Sequence, residues 1–174
     1  MPSFDTIRHV PYSPEAMLEL VADVECYPEF VPLCESLKVV SRAEASDGTR
    51  TIVARMKVGY GPIRESFTSR VTVAKHLRRI DVAYLDGPFR SLQNRWLFRA
   101  SPSGCDIDFN IAYEFRSLPL QMLLGAMFDR AFRKFAEAFE ARARKVYGPP
   151  PPAKMVNAAD NLPSSTPPAL RPVR

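Results

Sequence analysis

The side chains of this chain that could perform catalysis are few: two histidines and three cysteines in 174 residues. His9 falls in an alternating, strand-like stretch and His76 lies in the polar turn AKHLRR, and neither belongs to a motif such as GxSxG or HExxH. Cys26, Cys34 and Cys105 form no CxxC pair that would indicate a metal site. The glycines stand in turns and not before a helix, which argues against a P-loop or a dinucleotide-binding loop. The sequence therefore predicts a non-enzymatic protein that requires no metal and no cofactor.

Two polar residues stand on apolar faces and could contact a ligand. In the alternating stretch IRESFTSRVTV, Glu65 shares the face of Phe67, and in SLQNRWLF, Asn94 shares the face of Trp96. A β-bulge or a position at a sheet edge would explain both residues without a ligand. Alternatively, both face a cavity, where a carboxyl group needs a partner and an amide can hydrogen-bond a ligand carbonyl. The sequence leaves both interpretations open.

Charge and composition are those of an ordinary globular domain, with 46% hydrophobic residues, 25% charged residues and a net charge of +5. The densest basic runs are RR at 78–79 and RARK at 142–145. Such a mild excess fits a weak attraction to anionic lipid or RNA. A solvated helix end is the simpler explanation of RARK.

The predicted location is the cytoplasm, with transient contact at the inner face of the membrane as an option. An odd number of cysteines fits free thiols in a reducing compartment. The opening MPSFDTIRHV has neither the basic nor the apolar region of a signal peptide. No apolar run approaches the ~20 residues that a membrane-spanning helix needs.

The first elements are a strand over 4–10 and a helix with Ser13 as N-cap and Pro14 at its first position. Pro28 and Pro32 break that helix, so YPEFVPLC is predicted to be a bend or a second short helix. From residue 36 to residue 115, period-2 alternation separated by turn residues predicts about six antiparallel strands with one solvated face.

A long helix is predicted over roughly 118–146. Its opening, LPLQMLLGAMF, has Gln121 as its one clearly polar residue. Its apolar stripe recurs at steps of three, four or seven: Leu124, Phe128, Phe132, Phe135, Phe139 and Val146. A curved sheet must cover its apolar face, so we predict an α+β fold in which the sheet grips this helix. The folded domain is expected over 1–148, followed by a disordered proline-rich tail over 149–174.

Three separated segments resemble the coenzyme Q-binding branch of the START-like superfamily. They are FDTIRHVPYSPEAMLELVADVECYPEFVPLCESLKVV, YLDGPFRSLQNRWLF and FEARARKVYG, and the resemblance covers about residues 3–148. The resemblance implies a helix-grip fold with a deep cavity between sheet and C-terminal helix. It also implies binding of ubiquinone or a similar polyisoprenoid lipid in support of respiration. Bacterial relatives include ribosome association toxins, and the wider superfamily contains polyketide cyclases.

On this resemblance, apolar residues of the sheet and the long helix would bind the ligand, with Asn94, Tyr84 or Glu65 selecting its head group. The expected ligand-binding residues are Phe67, Val71, Tyr84, Leu92, Asn94, Trp96, Phe109, Ile111, Tyr113, Leu124, Met127, Phe128, Phe132 and Phe135. The expected cavity mouth is formed by Leu120, Leu123 and Gly125.

Three hypotheses for function follow, and they do not exclude one another. The first is a carrier or chaperone of a quinone, which contacts a membrane transiently and does not bind DNA. The second is a ribosome-binding protein whose basic surface would comprise Arg78, Arg79, Arg142, Arg144 and Lys145. The third is a cyclase, for which the candidate acids and bases are Glu65, Tyr84 and Tyr113.

Overall fold

The computed structural model describes residues 2–150 of the chain. The observed order of strand, helix pair, six strands and long helix confirms the predicted α+β class. The elements are β1 (Ser3–Val10), α1 (Pro14–Ala22), a 3₁₀ helix (Val24–Glu29), β2 (Cys34–Glu44), β3 (Arg50–Tyr60), β4 (Ile63–Ala74), a 3₁₀ turn (Lys75–Leu77), β5 (Arg79–Asp86), β6 (Phe89–Ser101), β7 (Gly104–Phe115) and α2 (Leu118–Tyr147). The predicted tail, residues 149–174, lies outside the described residues except for its first two.

The seven strands form one antiparallel sheet in the order β1-β7-β6-β5-β4-β3-β2. Burial alternates along the strands as predicted; in β7 every second residue from Cys105 to Phe115 is buried. Because successive side chains of a strand point to opposite faces, this alternation gives the sheet one apolar face. That face curves around α2, which confirms the helix-grip arrangement.

Helix α1 begins where the sequence predicts it. The backbone N–H of Ala16 donates to Ser13 Oγ at 3.1 Å, and Pro14 occupies the first turn, where its missing N–H costs nothing. The predicted second short helix takes the 3₁₀ form and contains Pro28. This 3₁₀ helix packs its aromatic side chains against α2: the ring centroids of Phe30 and Phe139 are 5.1 Å apart.

Helix α2 buries most of the predicted stripe, from Leu124 to Phe139. The assignment of Val146 to this stripe is wrong, because its side chain is 51% exposed and the stripe continues at the fully buried Ala143 instead. Val146 lies in the last turn of α2, which packs beside α1: the hydroxyl of the next residue, Tyr147, donates to the carbonyl of Ala16 at 2.8 Å.

Candidate ligand-binding cavity

A cavity of about 110 Å³ lies between the apolar face of the sheet and α2. Its wall is aromatic and aliphatic, with Ser69 and Asn94 among its few polar side chains. The structure brings many of the predicted ligand-binding residues to this wall: Phe67, Val71, Leu92, Asn94, Trp96, Ile111, Phe128, Phe132 and Phe135.

A third wall comes from α1, the 3₁₀ helix and the start of β2, and the sequence analysis missed it. Val24, Tyr27 and Leu33 are among its residues. The Tyr27 hydroxyl donates to the backbone carbonyl of Val21, and burial raises the pKa of Tyr27 far above its ordinary value. The Tyr27 ring lies edge-on to Phe139, with centroids 5.5 Å apart. The clustering of aromatic residues around the prolines of YPEFVP was the signal for a buried wall.

Asn94 faces the cavity and positions Trp96. Its Nδ2 donates to the carbonyl of Asn110 at 2.8 Å, and its Oδ1 accepts from Trp96 Nε1 at 2.7 Å. The β6–β7 register runs without a shift past Asn94, because the only irregularity of that pair lies between Phe89 and Ser91. A bulge therefore does not explain Asn94, whose amide keeps one N–H and one lone pair beyond these two hydrogen bonds.

A narrow cleft continues the cavity toward solvent. Its wall combines Leu33 with Tyr60, Ile63 and Glu65 of the β3–β4 hairpin. The same cleft contains two further predicted ligand-binding residues, Leu124 and Met127. Leu33, Val58 and Phe128 line both spaces, so the cleft adjoins the cavity. The β3–β4 register runs without a shift, so no bulge explains Glu65, whose side chain lies on the apolar face of β4. It lines this cleft and not the cavity.

The three residues expected at the mouth lie outside both linings. Leu123 is 62% exposed. Leu120 is partly buried against the core. Gly125 is buried, and its carbonyl accepts from the Tyr113 hydroxyl at 3.2 Å. A helix turns 100° per residue, so neighbours of Leu124 in sequence do not share its direction.

Tyr84, Phe109 and Tyr113 also lie outside the cavity lining. Phe109 packs behind Trp96, with ring centroids 4.5 Å apart. The Tyr113 hydroxyl is 2.8 Å from Asp129 Oδ1, and burial followed by this hydrogen bond raises the pKa of Tyr113. The Tyr84 hydroxyl is buried without a hydrogen-bond partner among the described residues. The candidate acids and bases of a cyclase therefore do not meet around one space.

One surface cluster has the order of a hydrolytic triad. His9 Nδ1 is 2.8 Å from Asp106 Oδ1, and His9 Nε2 is 3.0 Å from Ser103 Oγ. The His9 and Asp106 side chains are each 45% exposed. Hydrolytic triads act beside preorganised donors in a site that excludes water. This cluster lies outside the linings of both spaces, so it is a surface hydrogen-bond network.

The cysteines are thiols under ordinary conditions. Burial raises the pKa of Cys34 and of Cys105 to about 11 each. Cys26 Sγ donates to Asp23 Oδ2 at 3.0 Å, and this hydrogen bond raises its pKa. Residues 2–150 contain no cluster of three or more side chains suited to bind a metal.

In the same range, no helix has the length and hydropathy needed to cross a bilayer.

A cavity enclosed by an antiparallel sheet and a long C-terminal helix defines the helix-grip, START-like class of lipid-binding folds. Within that class, the chain belongs to the polyketide cyclase/dehydrase and lipid transport family, whose model matches residues 10–140. The predicted family resemblance is thereby confirmed.

Two kinds of named relative match the chain. Ribosome association toxin RatA of Rickettsia prowazekii is 30% identical over 149 residues, which cover 84% of this chain and 99% of the relative. Coenzyme Q-binding protein COQ10 homolog B, mitochondrial, of Xenopus laevis is 34% identical over 142 residues, covering 79% of this chain and 56% of the relative.

Solved structures agree with the fold. An 18 kDa protein from Caulobacter crescentus is 36% identical with a TM-score of 0.71, covering 86% of this chain and all of that one. The Zhui aromatase/cyclase of Streptomyces also has a TM-score of 0.71, covering 83% of this chain and 95% of that one. At 17% identity the cyclase shows a shared fold only.

Proposed function

We propose that this protein binds ubiquinone or a similar polyisoprenoid lipid in the cavity and carries it without chemical change. The observation that supports this proposal is the composition of the wall, which is aromatic and aliphatic around the amide of Asn94. Apolar walls with a few placed polar groups are typical of sites for apolar small molecules. The 34% identical relative from Xenopus laevis is described as a coenzyme Q-binding protein.

The size of the cavity constrains how such a ligand would lie. An apolar cavity of about 150 Å³ can hold one benzene ring, and this cavity measures about 110 Å³. A substituted quinone ring is larger than benzene, so the wall must open to admit it. We place the ring beside Asn94 and Trp96 and direct the isoprenoid chain outward through the cleft. Leu33, Val58 and Phe128 line both spaces, so these side chains must move when the chain enters.

Apolar burial supplies enough affinity for a carrier. Each buried methylene contributes about 0.8 kcal/mol, so ten contribute on the order of 8 kcal/mol. That free energy corresponds to roughly micromolar binding before ordering costs are subtracted. Contacts with the ring must supply the selectivity, and Asn94 retains one free N–H for a quinone carbonyl.

The first turns of α2 provide a surface for membrane contact. Leu118, Met122 and Leu123 are 71%, 78% and 62% exposed, and they precede the exposed cations Arg130 and Lys134 on the same helix. An apolar helix face followed by basic residues is typical of segments that lie in the lipid interface. A ligand leaving through the cleft beside Met127 would meet that interface.

A cavity-filling variant tests the proposal. Ala131→Leu adds three carbon atoms to the cavity wall, whereas Ala126→Leu adds them to the exposed side of the same helix. After expression in a quinone-producing host, native mass spectrometry with lipid extraction should find bound quinone on the wild-type protein and on Ala126→Leu, but not on Ala131→Leu. An equal quinone content in both variants, or an unchanged protein that takes up no quinone, would contradict the proposal.

Ribosome association is the second candidate function, and the relatives favour it. Proteins described as ribosome association toxins match the chain at 30–32% identity. The basic surface expected for this role is largely neutralised, because Arg78, Arg79, Arg142 and Arg144 form ion pairs with Glu15, Asp81, Glu29 and Glu140. Co-sedimentation with purified ribosomal subunits tests it; absence of the protein from the subunit pellet at low salt would reject it.

A further inference from the structure

The outer face of β2, β3 and β4 carries a group of four cations, which we call the sheet cations: Lys38, Arg55, Lys57 and Arg70. All four side chains are exposed, at strand positions that face solvent and not the core. Lys38 lies directly opposite Arg55 in the β2–β3 register, and Val53, two residues from Arg55, lies opposite Arg70 in the β3–β4 register. Strands are about 4.8 Å apart and rise about 3.4 Å per residue, so neighbouring Cα atoms of the group are roughly 5–8 Å apart and all four fall within roughly 15 Å.

Their charge is not compensated. Within the described part of the chain, none of the sheet cations forms an ion pair. Like charges directly opposite one another in a sheet are destabilising. The sheet cations lie within about one Debye length of their neighbours at 0.1 M salt, so salt does not fully screen them from one another and their electrostatic potentials add. The fold therefore maintains a concentrated positive field at a cost to its own stability.

The neighbours of the sheet cations indicate what they bind. The outward positions of β3 and β4 carry no carboxylate and no aromatic ring, and Ser66 and Thr68 place hydroxyl groups opposite Lys57 and Arg55. The carboxylate of Glu35 on β2 reaches this face beside Gly59, where it is paired with Arg64. Arg55 Nη1 lies 3.5 Å from Thr68 Oγ1. Arginine, lysine, serine and threonine are the side chains that contact nucleic-acid phosphates. Without aromatic rings, the face has nothing on which to stack bases.

The acidic side chains on the opposite side of the same outer face are largely paired. Asp106, Asp108 and Glu114 point outward from β7 and contact His9, Arg99 and Arg90, and Asp5 of the adjacent β1 accepts a hydrogen bond from Asn110. A polyanion would therefore be directed toward the unpaired cations of β2–β4. Lipid insertion requires a contiguous group of large exposed apolar side chains, such as Leu118, Met122 and Leu123 on α2, whereas β2 and β3 expose only Val40 and Tyr60. The sheet cations therefore suit a hydrated phosphate backbone better than a bilayer.

We propose that the outer face of β2–β4 is a docking surface for the phosphate backbone of RNA, with the sheet cations as its contacts. The proposal rests on the second candidate function for the choice of RNA as the polyanion. It does not depend on what occupies the cavity, which lies on the other face of the sheet.

Two variants of equal charge test it. The first replaces the sheet cations: Lys38→Gln, Arg55→Gln, Lys57→Gln and Arg70→Gln. The second removes four exposed cations elsewhere: Arg90→Gln, Arg99→Gln, Arg144→Gln and Lys145→Gln. Fluorescence anisotropy with a labelled 20-base-pair RNA hairpin, measured from about 50 to 200 mM salt, gives the affinity and its salt dependence. Quinone content should be unchanged in both variants.

We expect the first variant to bind the hairpin at least about tenfold more weakly and with a salt slope reduced by about 3 to 4, since each lost phosphate contact removes about 0.9. The second variant should stay within about threefold of the unchanged protein. Equal losses in both variants, or no binding by the unchanged protein, would overturn the proposal. So would a first variant that keeps its affinity for the hairpin and loses binding only to vesicles of anionic phosphatidylglycerol.

Co-sedimentation with ribosomal subunits separates this proposal from the candidate function on which it rests. Hairpin binding that depends on the sheet cations, in a protein that does not pellet with subunits, would support the surface and reject ribosome association. If the first variant still binds both the subunits and the hairpin, ribosome association would be supported and the proposed docking surface would be rejected.

Discussion

The two faces of the sheet formed by β3 and β4 differ in every respect except their backbone. On the inner face, Met56, Phe67 and Val71 enclose the cavity. On the outer face, Arg55 and Arg70 stand in water one residue away from these apolar side chains. Because side chains alternate across a strand, one segment of sequence can build two unrelated surfaces.

This difference teaches which kind of change each face should tolerate. The inner face is packed, so it is sensitive to volume and to unsatisfied polar groups. The outer face is solvated, so substitutions there should leave stability nearly unchanged and act through charge. Variants on the two faces should therefore separate stability from binding.

The largest effect on stability is expected from Phe139→Ala, which removes a ring packed against Tyr27, Phe30 and Trp96. Phe139 is 2% exposed, so its truncation should lower the free energy of unfolding by about 3–5 kcal/mol. Urea denaturation measures this change, and Arg70→Ala on the outer face is the control, with less than about 0.5 kcal/mol. Similar losses in the two variants would contradict the comparison.

Asn94→Ala should lower the free energy of unfolding by about 1–3 kcal/mol, since Trp96 Nε1 and the carbonyl of Asn110 lose their partner. Gln93→Ala, which truncates the next, outward-facing residue of β6, is the matched control. Thermal denaturation followed by circular dichroism compares the two. A larger loss in Gln93→Ala would show that the inner amide is not the structural one.

Stability should fall as the pH rises above about 9. The pKa values of Cys34 and Cys105 are raised by burial to about 11, whereas an unfolded cysteine titrates near 9. Between these values the unfolded chain loses protons that the folded chain keeps, so alkali favours unfolding. Urea midpoints at pH 8 and pH 10.5 should differ by less in a Cys34→Ala/Cys105→Ala variant. If the urea midpoint of that variant depends on pH as strongly as that of the wild-type protein, the two thiols are not the cause of the alkaline loss of stability.

Tyr113→Phe tests where the cavity ends, and its effect should be the smallest. Loss of the hydrogen bond to Asp129 should cost about 0.5–1.5 kcal/mol of folding free energy. Quinone affinity should not change, because Tyr113 lies outside the cavity lining. A tenfold loss of quinone affinity, measured by equilibrium titration, would place Tyr113 in the binding site after all.

Local patterns predicted the elements and much of the cavity wall. Period-2 alternation identified the strands, and the Ser13–Pro14 pair identified the start of α1, because these signals depend on neighbouring residues alone. The third wall around Tyr27 depends on how the 3₁₀ helix packs against α2, and no periodicity encodes that contact. The helical pattern likewise could not show that Leu123 points into solvent while Leu124 is buried.

The clustering of the sheet cations likewise could not be predicted from the sequence. In the sequence, Lys38, Arg55 and Arg70 are about fifteen residues apart, and no basic run marks them. The strand register brings them together, whereas RARK at 142–145 is dense in sequence and largely ion-paired in the fold. Runs of basic residues in the sequence therefore did not show where unpaired positive charge lies on the surface.

The most direct test of the cavity as a quinone site uses Trp96, the only tryptophan of the chain, whose side chain lines it. Tryptophan fluorescence is titrated with a ubiquinone of two isoprene units in the unchanged protein, in Ala131→Leu and in Ala126→Leu. A quinone in the cavity should quench Trp96 saturably at roughly micromolar concentration in the first and third proteins and not in the second. Quenching that is linear in quinone concentration and equal in all three proteins would contradict the account.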